Sequence, residues 1–144
     1  MTLDALHQEW HTDKTLDFSS PDRAITQVPL LHGKWWQFYT HERQRYVALK
    51  QDYDMLKRQK FEWYLGRMDE DERKALGWNP QPVRIVRQEV DTYLNTDTDL
   101  LPLAGKVDVQ ELKLKFIEDC IKHINNRGYL IRSYVDYLRF SQGA

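Results

Sequence analysis

The sequence predicts an all-α fold, and two observations carry that prediction. Residues 34–65 contain neither glycine nor proline. Residues 112–138 place apolar side chains at helical spacing on two adjoining faces. Each element then follows in order. Leu3, Leu6 and Trp10 recur at helical spacing and mark a short amphipathic helix, followed by a polar, loop-like stretch over 11–20. Ser20-Pro21-Asp22 is a helix start: serine is a good N-cap, proline suits the first turn, and an acid suits the positive end of the dipole. Pro29 and Gly33 are expected to kink or break that helix. The N-terminal helices thus occupy 1–32.

The 32 residues from Lys34 to Leu65 would span roughly 48 Å as one helix. Gly66 offers its stop. Tyr46, Leu49, Tyr53, Leu56, Lys60 and Trp63 follow alternating steps of three and four, a heptad-like seam led into by Trp35 and Tyr39 and interrupted by Glu42 and Lys60. A helix with so narrow a seam must pack on a partner. Arg67 to Ala75 is charged, and its run Asp69-Glu70-Asp71-Glu72 reads as a solvated turn. Gly77, Asn79, Pro80 and Pro82 turn the chain back. Val83, Val86, Val90, Tyr93 and Leu94 suggest a helix antiparallel to the long one, so that 33–96 forms a helical hairpin.

Pro102 and Gly105 are expected to interrupt the chain next, and Asp108 with Glu111 resembles a capping box opening the last helical region. Its stripe is Leu112, Phe116, Cys120 and Ile124, continued in phase by Ile131, Val135 and Leu138. The helix either runs through Gly128 or bends there. A second set, Leu114, Ile117, Ile121, Leu130, Tyr134 and Tyr137, widens the apolar surface. So broad a face fits an oligomer interface over 97–144, or a central helix buried within the chain.

Composition bounds the function. The chain has 144 residues, enough for one domain, with 41% hydrophobic and 30% charged residues. That charge with a modest core suggests extended helices or self-association. Net charge is only -1, so any nucleic-acid affinity must sit on a local patch. The single cysteine, Cys120, excludes an intramolecular disulfide and fits a reducing cytoplasm. It reads as core packing rather than a catalytic thiol. Residues 1–10 lack the pattern of a secretory signal, and no stretch approaches the ~20 apolar residues of a membrane span. A soluble, unexported protein is expected.

The chemistry concentrates on the long helix. Arg43, Arg45, Lys50, Lys57, Arg58 and Lys60 are opposed over 43–60 only by Asp52 and Asp54, a local +4 against -5 for the rest. Arg43, Lys50 and Lys57 recur every seven residues beside the aromatic seam. Cations that replace counterions on phosphates, next to rings that accept unstacked bases, are what single-stranded nucleic acid requires. A solvated coiled-coil flank has the same look. The aromatics Trp35, Trp36, Phe38, Tyr39, Phe61, Trp63 and Tyr64 read mainly as core. His7 and His11 have a chelating spacing but no third ligand and not the zinc-protease order. Asp97 and Asp99 lack the glycine and glutamate of a calcium loop. No phosphate-cradling glycine loop, nucleophile elbow or His/Cys/Asp cluster is present, so neither catalysis, metal nor cofactor is expected.

At the basic segment the sequence becomes recognisable. Leu56-Lys57-Arg58-Gln59-Lys60-Phe61-Glu62-Trp63-Tyr64-Leu65-Gly66-Arg67-Met68-Asp69 resembles the core of the UvsY family, recombination mediators of large tailed (T-even-like) bacteriophages. Lys34-Trp35 resembles a Lys-Trp pair upstream. Asp97-Thr98-Asp99 and Ile124-Asn125-Asn126-Arg127-Gly128-Tyr129-Leu130-Ile131-Arg132 resemble the C-terminal half. The ordered likeness covers roughly residues 31–143. It implies an all-α chain that assembles into a ring-like or open-barrel homo-oligomer of six or seven subunits. It implies binding of single-stranded DNA and the loading of a RecA-like (UvsX-type) recombinase onto DNA covered by the phage single-strand-binding protein, in the host cytoplasm. The family's basic pair falls on Arg58 and Lys60. Lys57 stands where the family pattern has an apolar residue, and Trp63 where it has tyrosine. The expected DNA-binding residues are Arg58, Lys60, Lys57, Lys50, Arg43, Arg45 and Arg67, with Trp63 and Tyr64 as possible stacking rings. The expected oligomerisation residues are Leu112, Phe116, Ile117, Cys120, Ile121, Ile124, Ile131, Val135 and Leu138. The alternative is a helical adaptor or scaffold without DNA affinity.

Overall fold

The computed structural model describes residues 1–143, and the described residues form helices and turns with no strand. In chain order these are α1 (Leu3–Asp13), α2 (Pro21–Tyr64), α3 (Glu70–Ala75), a 3-10 turn (Arg87–Glu89), α4 (Val90–Asn95), α5 (Leu100–Asn125) and α6 (Arg127–Ser141). They divide into two compact units, Met1–Gln44 with Glu111–Ala144, and Arg45–Gln110. No helix is long and apolar enough to cross a membrane among the described residues.

Capping chemistry sets several of the helix ends. Thr2 accepts from the Ala5 backbone N–H and starts α1. α2 begins at Pro21, and the Ala24 N–H bonds back to the Ser20 carbonyl. At its other end Gly66 has φ 69°. There the Gly66 N–H reaches the Trp63 carbonyl at 3.0 Å and the Arg67 N–H the Glu62 carbonyl at 2.9 Å. This is a Schellman motif, which only a residue at ease in the left-handed region closes cheaply. The same pair of bonds recurs at Gly77 and ends α3.

Several expected breaks are absent. α2 is continuous through Pro29 and Gly33. An interior proline costs a helix about 3 kcal/mol, but on the neighbouring turns Trp35 is fully buried and Val28 and Leu31 partly buried in a core, and fully burying a large apolar side chain returns about 1.5–3 kcal/mol. α5 likewise runs through Gly105 and Pro102, and the proline sits in its first turn, where backbone N–H groups lack intrahelical partners. Asp108 and Glu111 are therefore interior residues and open nothing. The acidic run is not a bare turn: Asp69 accepts from the Glu72 N–H and caps α3, whose first turn is acidic and last turn basic. The helix expected from Val83 is shorter than its apolar spacing suggests. Val83 and Val86 are exposed, and the helix starts only after the 3-10 turn. Finally, the interruption near Gly128 falls at Asn126, with Gly128 inside α6.

The core of the first unit is Leu6, Trp35, Ile117, Cys120, Ile121 and Ile124, flanked by Trp10, Val28, Leu31, Phe38, Tyr39 and Phe116. Trp35 is wholly buried, edge-on to Trp10 at 5.5 Å and to Phe38 at 5.1 Å. Its indole N–H donates to Asp13 at 3.0 Å, and Lys34 bridges Asp13 at 2.7 Å and Glu9 at 2.8 Å. The Lys-Trp pair thus ties α1 to α2. The core of the second unit is Leu65, Ile85, Val90, Leu94 and Leu100, against which Tyr53, Leu56, Phe61 and Tyr64 of α2 pack. Tyr53 and Leu56 of the seam thus find partners within the chain.

Of the residues expected at a subunit interface, Ile117, Cys120, Ile121, Ile124 and Ile131 are buried within the chain itself. That is the other reading of the broad apolar face. Phe116, Val135 and Leu138 are half-buried and Leu112 is exposed. Burial pushes the Cys120 thiol up to about 12, which leaves it a packing residue at neutral pH.

Candidate nucleic-acid interface

The basic segment occupies the last turns of α2, and its two central cations have opposite fates. Arg58 projects outward, its side chain 58% exposed, and meets Glu72 of α3 at 3.1 Å. Lys60, two residues on, is buried. Its ammonium lies 2.7 Å from Asp99 and 3.4 Å from Asp97. It also stands 4.5 Å from the centroid of Trp78 and 5.5 Å from that of Trp63.

Asp97 is the hub of this node. One carboxylate oxygen accepts from the Asp99 and Leu100 N–H groups at 2.9 and 3.1 Å, capping α5. The other accepts from the Tyr64 hydroxyl at 2.5 Å and faces Lys60. Burial pushes the Asp97 carboxyl up, but the Tyr64 hydroxyl, the two backbone N–H groups and Lys60 outweigh it and hold the group below the ordinary carboxylate range. Tyr64 moves the opposite way: burial and its bond to Asp97 hold the phenol protonated well above its usual range. The Trp63 indole donates to the Asn79 carbonyl at 2.8 Å and packs edge-on to Trp78 at 6.4 Å. Two segments that carry the family likeness, 56–69 and 97–99, therefore meet in one polar node.

The remaining expected cations lie at the surface. Lys57 is exposed beside Tyr53, 5.9 Å from its ring centroid. Lys50 pairs with Asp54 at 3.0 Å, a hydrogen bond that raises its pKa. Arg67 pairs with Glu62 at 3.4 Å and lies over Phe61. Arg43 and Arg45 are exposed and engaged with neighbouring groups. Exposed pairs of this kind contribute about 0–1 kcal/mol, so a phosphate displaces the carboxylate at little cost. Extracting Lys60 would strand Asp97, and breaking a buried pair costs about 3–5 kcal/mol. The arrangement leaves Lys50, Lys57, Arg58 and Arg67 at the surface and encloses Lys60. Trp63 and Tyr64 keep ring area at the surface but have their polar atoms tied down.

Sequence reasoning missed Asp97, Glu72 and Trp78. Asp97 had a signal, since an aspartate shortly before Leu100-Leu101-Pro102 fits an N-cap followed by a first-turn proline. Glu72 and Trp78 had none, because their roles depend on how the chain folds back. Among the described residues no group of three or more His, Cys, Asp or Glu is placed to hold a metal. His7 stacks on Phe116 at 4.3 Å.

Comparison with solved structures places this fold beside the bacteriophage T4 recombination mediator protein UvsY. One crystal form of that protein superposes with a TM-score of 0.86 at 20% identity, covering 99% of this chain and 98% of that one. A second gives 0.84 at 21% identity, covering 97% and 99%. Comparison with curated proteins finds no sequence match. Residues 9–144 match the family described as recombination, repair and ssDNA binding protein UvsY. With that match over nearly its whole length, the chain belongs to the UvsY family.

Proposed function

We propose that this protein is a recombination mediator. It holds single-stranded DNA and promotes loading of a RecA-like phage recombinase onto DNA covered by single-strand-binding protein, in recombination, repair and recombination-dependent replication. The observation that carries this reading is the match of residues 9–144 to a single-stranded DNA binding family. The DNA contacts fall on Arg58, Lys57, Lys50 and Arg67, with Arg43 and Arg45 extending the basic stripe of α2. Lys60 is a positioning residue: its ion pairs and the two indoles fix the last turns of α2, from which Arg58 and Lys57 project.

Several copies acting together turn weak phosphate contacts into tight binding through effective concentration. Self-association falls on the exposed side chains of α5 and α6. Leu112, Tyr129, Tyr137 and Phe140 are 52%, 68%, 64% and 85% exposed, with half-buried Val135 and Leu138 beside them. A strand gathered by several protomers is bent, which weakens its hold on the displaced protein and offers the recombinase a start.

The test is salt-dependent binding of a labelled single-stranded oligonucleotide, read with light scattering. Replacing Lys57 and Arg58 by alanine should lower the slope of log affinity against log salt by about 1.4 per protomer engaged, at about 0.7 per phosphate contact. Lys60→Met should leave that slope near wild type. An unchanged slope in the double variant sinks the site. Oligomers that shift no oligonucleotide at all point to the scaffold instead.

A further inference from the structure

We propose that the first unit carries a second anion site, a pocket centred on Arg127 that takes the phosphate group of a nucleotide. Arg127 is the first residue of α6 and only 5% exposed. One of its N–H groups donates to the Asp13 carbonyl at the end of α1. A cation capping a helix C-terminus is a familiar use of arginine, but it occupies one of five donors. No carboxylate lies within ion-pair distance among the described residues, and that of Asp13 is already taken by Lys34 and Trp35. Buried arginines are seldom left without an anion. Burial accordingly pulls this guanidinium below its ordinary pKa.

The unused donors are not sealed in. No buried side-chain nitrogen or oxygen lacks a partner among the described residues, so the remaining N–H groups open onto the space around them. Arg127 lines two cavities of about 260 Å³ each. One contains Asp17, whose carboxylate is held ionised by the Ser19 hydroxyl and N–H and would repel an anion. The other is lined by Trp10, Lys14, Leu16, His123 and Leu130 and has no carboxylate. There Lys14 and Arg127 supply positive charge and His123 a further donor. Trp10 and Leu130 supply apolar wall, with the Trp10 and His123 rings 6.0 Å apart. Charge for a phosphate beside a ring face for a base is the chemistry of a nucleotide site. The ligand is a phosphate ester, from either a DNA strand or a free nucleotide.

Calorimetric titration of the full chain with inorganic phosphate, thymidine monophosphate, thymidine and an oligothymidylate tests the site. Phosphate or the monophosphate should bind and thymidine should not. Lys14→Ala, which alters an exposed side chain, should weaken phosphate-bearing ligands roughly fivefold. Arg127→Met should weaken them on the order of tenfold or more. If Arg127→Met fails to fold, Lys14→Ala combined with His123→Ala decides. A parallel loss of oligothymidylate affinity assigns the phosphate to a strand, while a loss confined to the monophosphate assigns it to a free nucleotide. The site is refuted if the small phosphates do not bind and the variants leave oligothymidylate affinity unchanged. It is equally refuted if thymidine binds as well as its monophosphate. The Lys57→Ala/Arg58→Ala variant should still bind the monophosphate, so the pocket stands or falls independently of the α2 site.

Discussion

Each unit is fastened by a lysine of α2 paired with carboxylates and a tryptophan of α2 whose indole donates a hydrogen bond, to the Asp13 carboxylate in the first and to the Asn79 backbone carbonyl in the second, yet the burial is inverted between them. In the first unit Trp35 is wholly buried and the Lys34 side chain is 36% exposed. In the second the Lys60 side chain is 9% exposed and Trp63 is half-buried. The first fastener is mainly hydrophobic, with ion pairs closing its rim. The second is a desolvated ion-pair node walled by two indoles. The difference shows how a lysine in a basic run becomes structural. What decides its role is the presence of two aspartates, Asp97 and Asp99, on the chain that folds back over it, the first of them also accepting from the Tyr64 hydroxyl at the end of α2 itself.

Trp35→Ala should produce the largest loss, about 3–5 kcal/mol, because it empties the centre of a packed core. Trp63→Ala should cost about 1–2 kcal/mol, since that ring is already half in solvent. Urea denaturation measures both, and equal losses would erase the proposed inversion. Next come the carboxylates. Asp97→Ala strips Lys60 of one partner, uncaps α5 and leaves the Tyr64 hydroxyl without its acceptor. Breaking such a buried arrangement should cost about 3–5 kcal/mol. Asp13→Ala leaves Lys34 with Glu9 and access to water but takes the acceptor from the Trp35 indole N–H, so about 1–3 kcal/mol is expected. A smaller loss for Asp97→Ala than for Asp13→Ala would overturn the comparison.

The helical class and the ends at Pro21 and Gly66 were legible because they rest on local chemistry: an N-cap followed by proline, and a glycine at ease with positive φ. Pro29, Gly33, Pro102 and Gly105 misled for the opposite reason. Local propensity argues for breaks there, and tertiary packing or first-turn placement overrides it. The double apolar face of residues 112–138 was visible, but spacing does not say whether the covering surface belongs to the same chain. At the candidate site the basic run itself was plain. That Lys60 turns inward while Arg58 turns outward was not, since the deciding groups, Asp97 and Asp99, stand almost forty positions away.

The node should also mark the pH limits of stability, and the first unit offers the control. The carboxyl of Asp97 is held below its ordinary value of 3.8 in the folded chain. Its contribution is therefore complete above that value and is lost as pH falls through the lower folded one. The phenol of Tyr64 is raised from 10.0. Its contribution is complete below pH 10 and shrinks above it, because the unfolded chain ionises first. Thermal unfolding followed from pH 2 to 11 should show Asp97→Asn with a flatter acid limb and Tyr64→Phe with a flatter alkaline one. Lys34, where burial pulls the pKa down but bonds to Asp13 and Glu9 raise it overall, should also weaken at alkaline pH. Lys34→Met separates that loss from the one at Tyr64.

The smallest effect tests the surface half of the comparison. Glu72 accepts from Arg58 at 3.1 Å and from Gln59 at 3.4 Å, and both pairings are at least partly exposed. Glu72→Gln removes a charge but keeps a hydrogen-bonding group, so stability should change by under about 1 kcal/mol. Oligonucleotide affinity should rise about two- to fivefold at low salt, because a phosphate no longer competes with a carboxylate for Arg58. The gain should vanish in high salt, and it should be absent in Arg58→Ala, where the competition has no object. A matching gain from Asp99→Asn would mean that Lys60 also reaches the strand. No gain there is expected, because Lys60 remains enclosed by Asp97, Trp63 and Trp78 whether or not its second aspartate is charged.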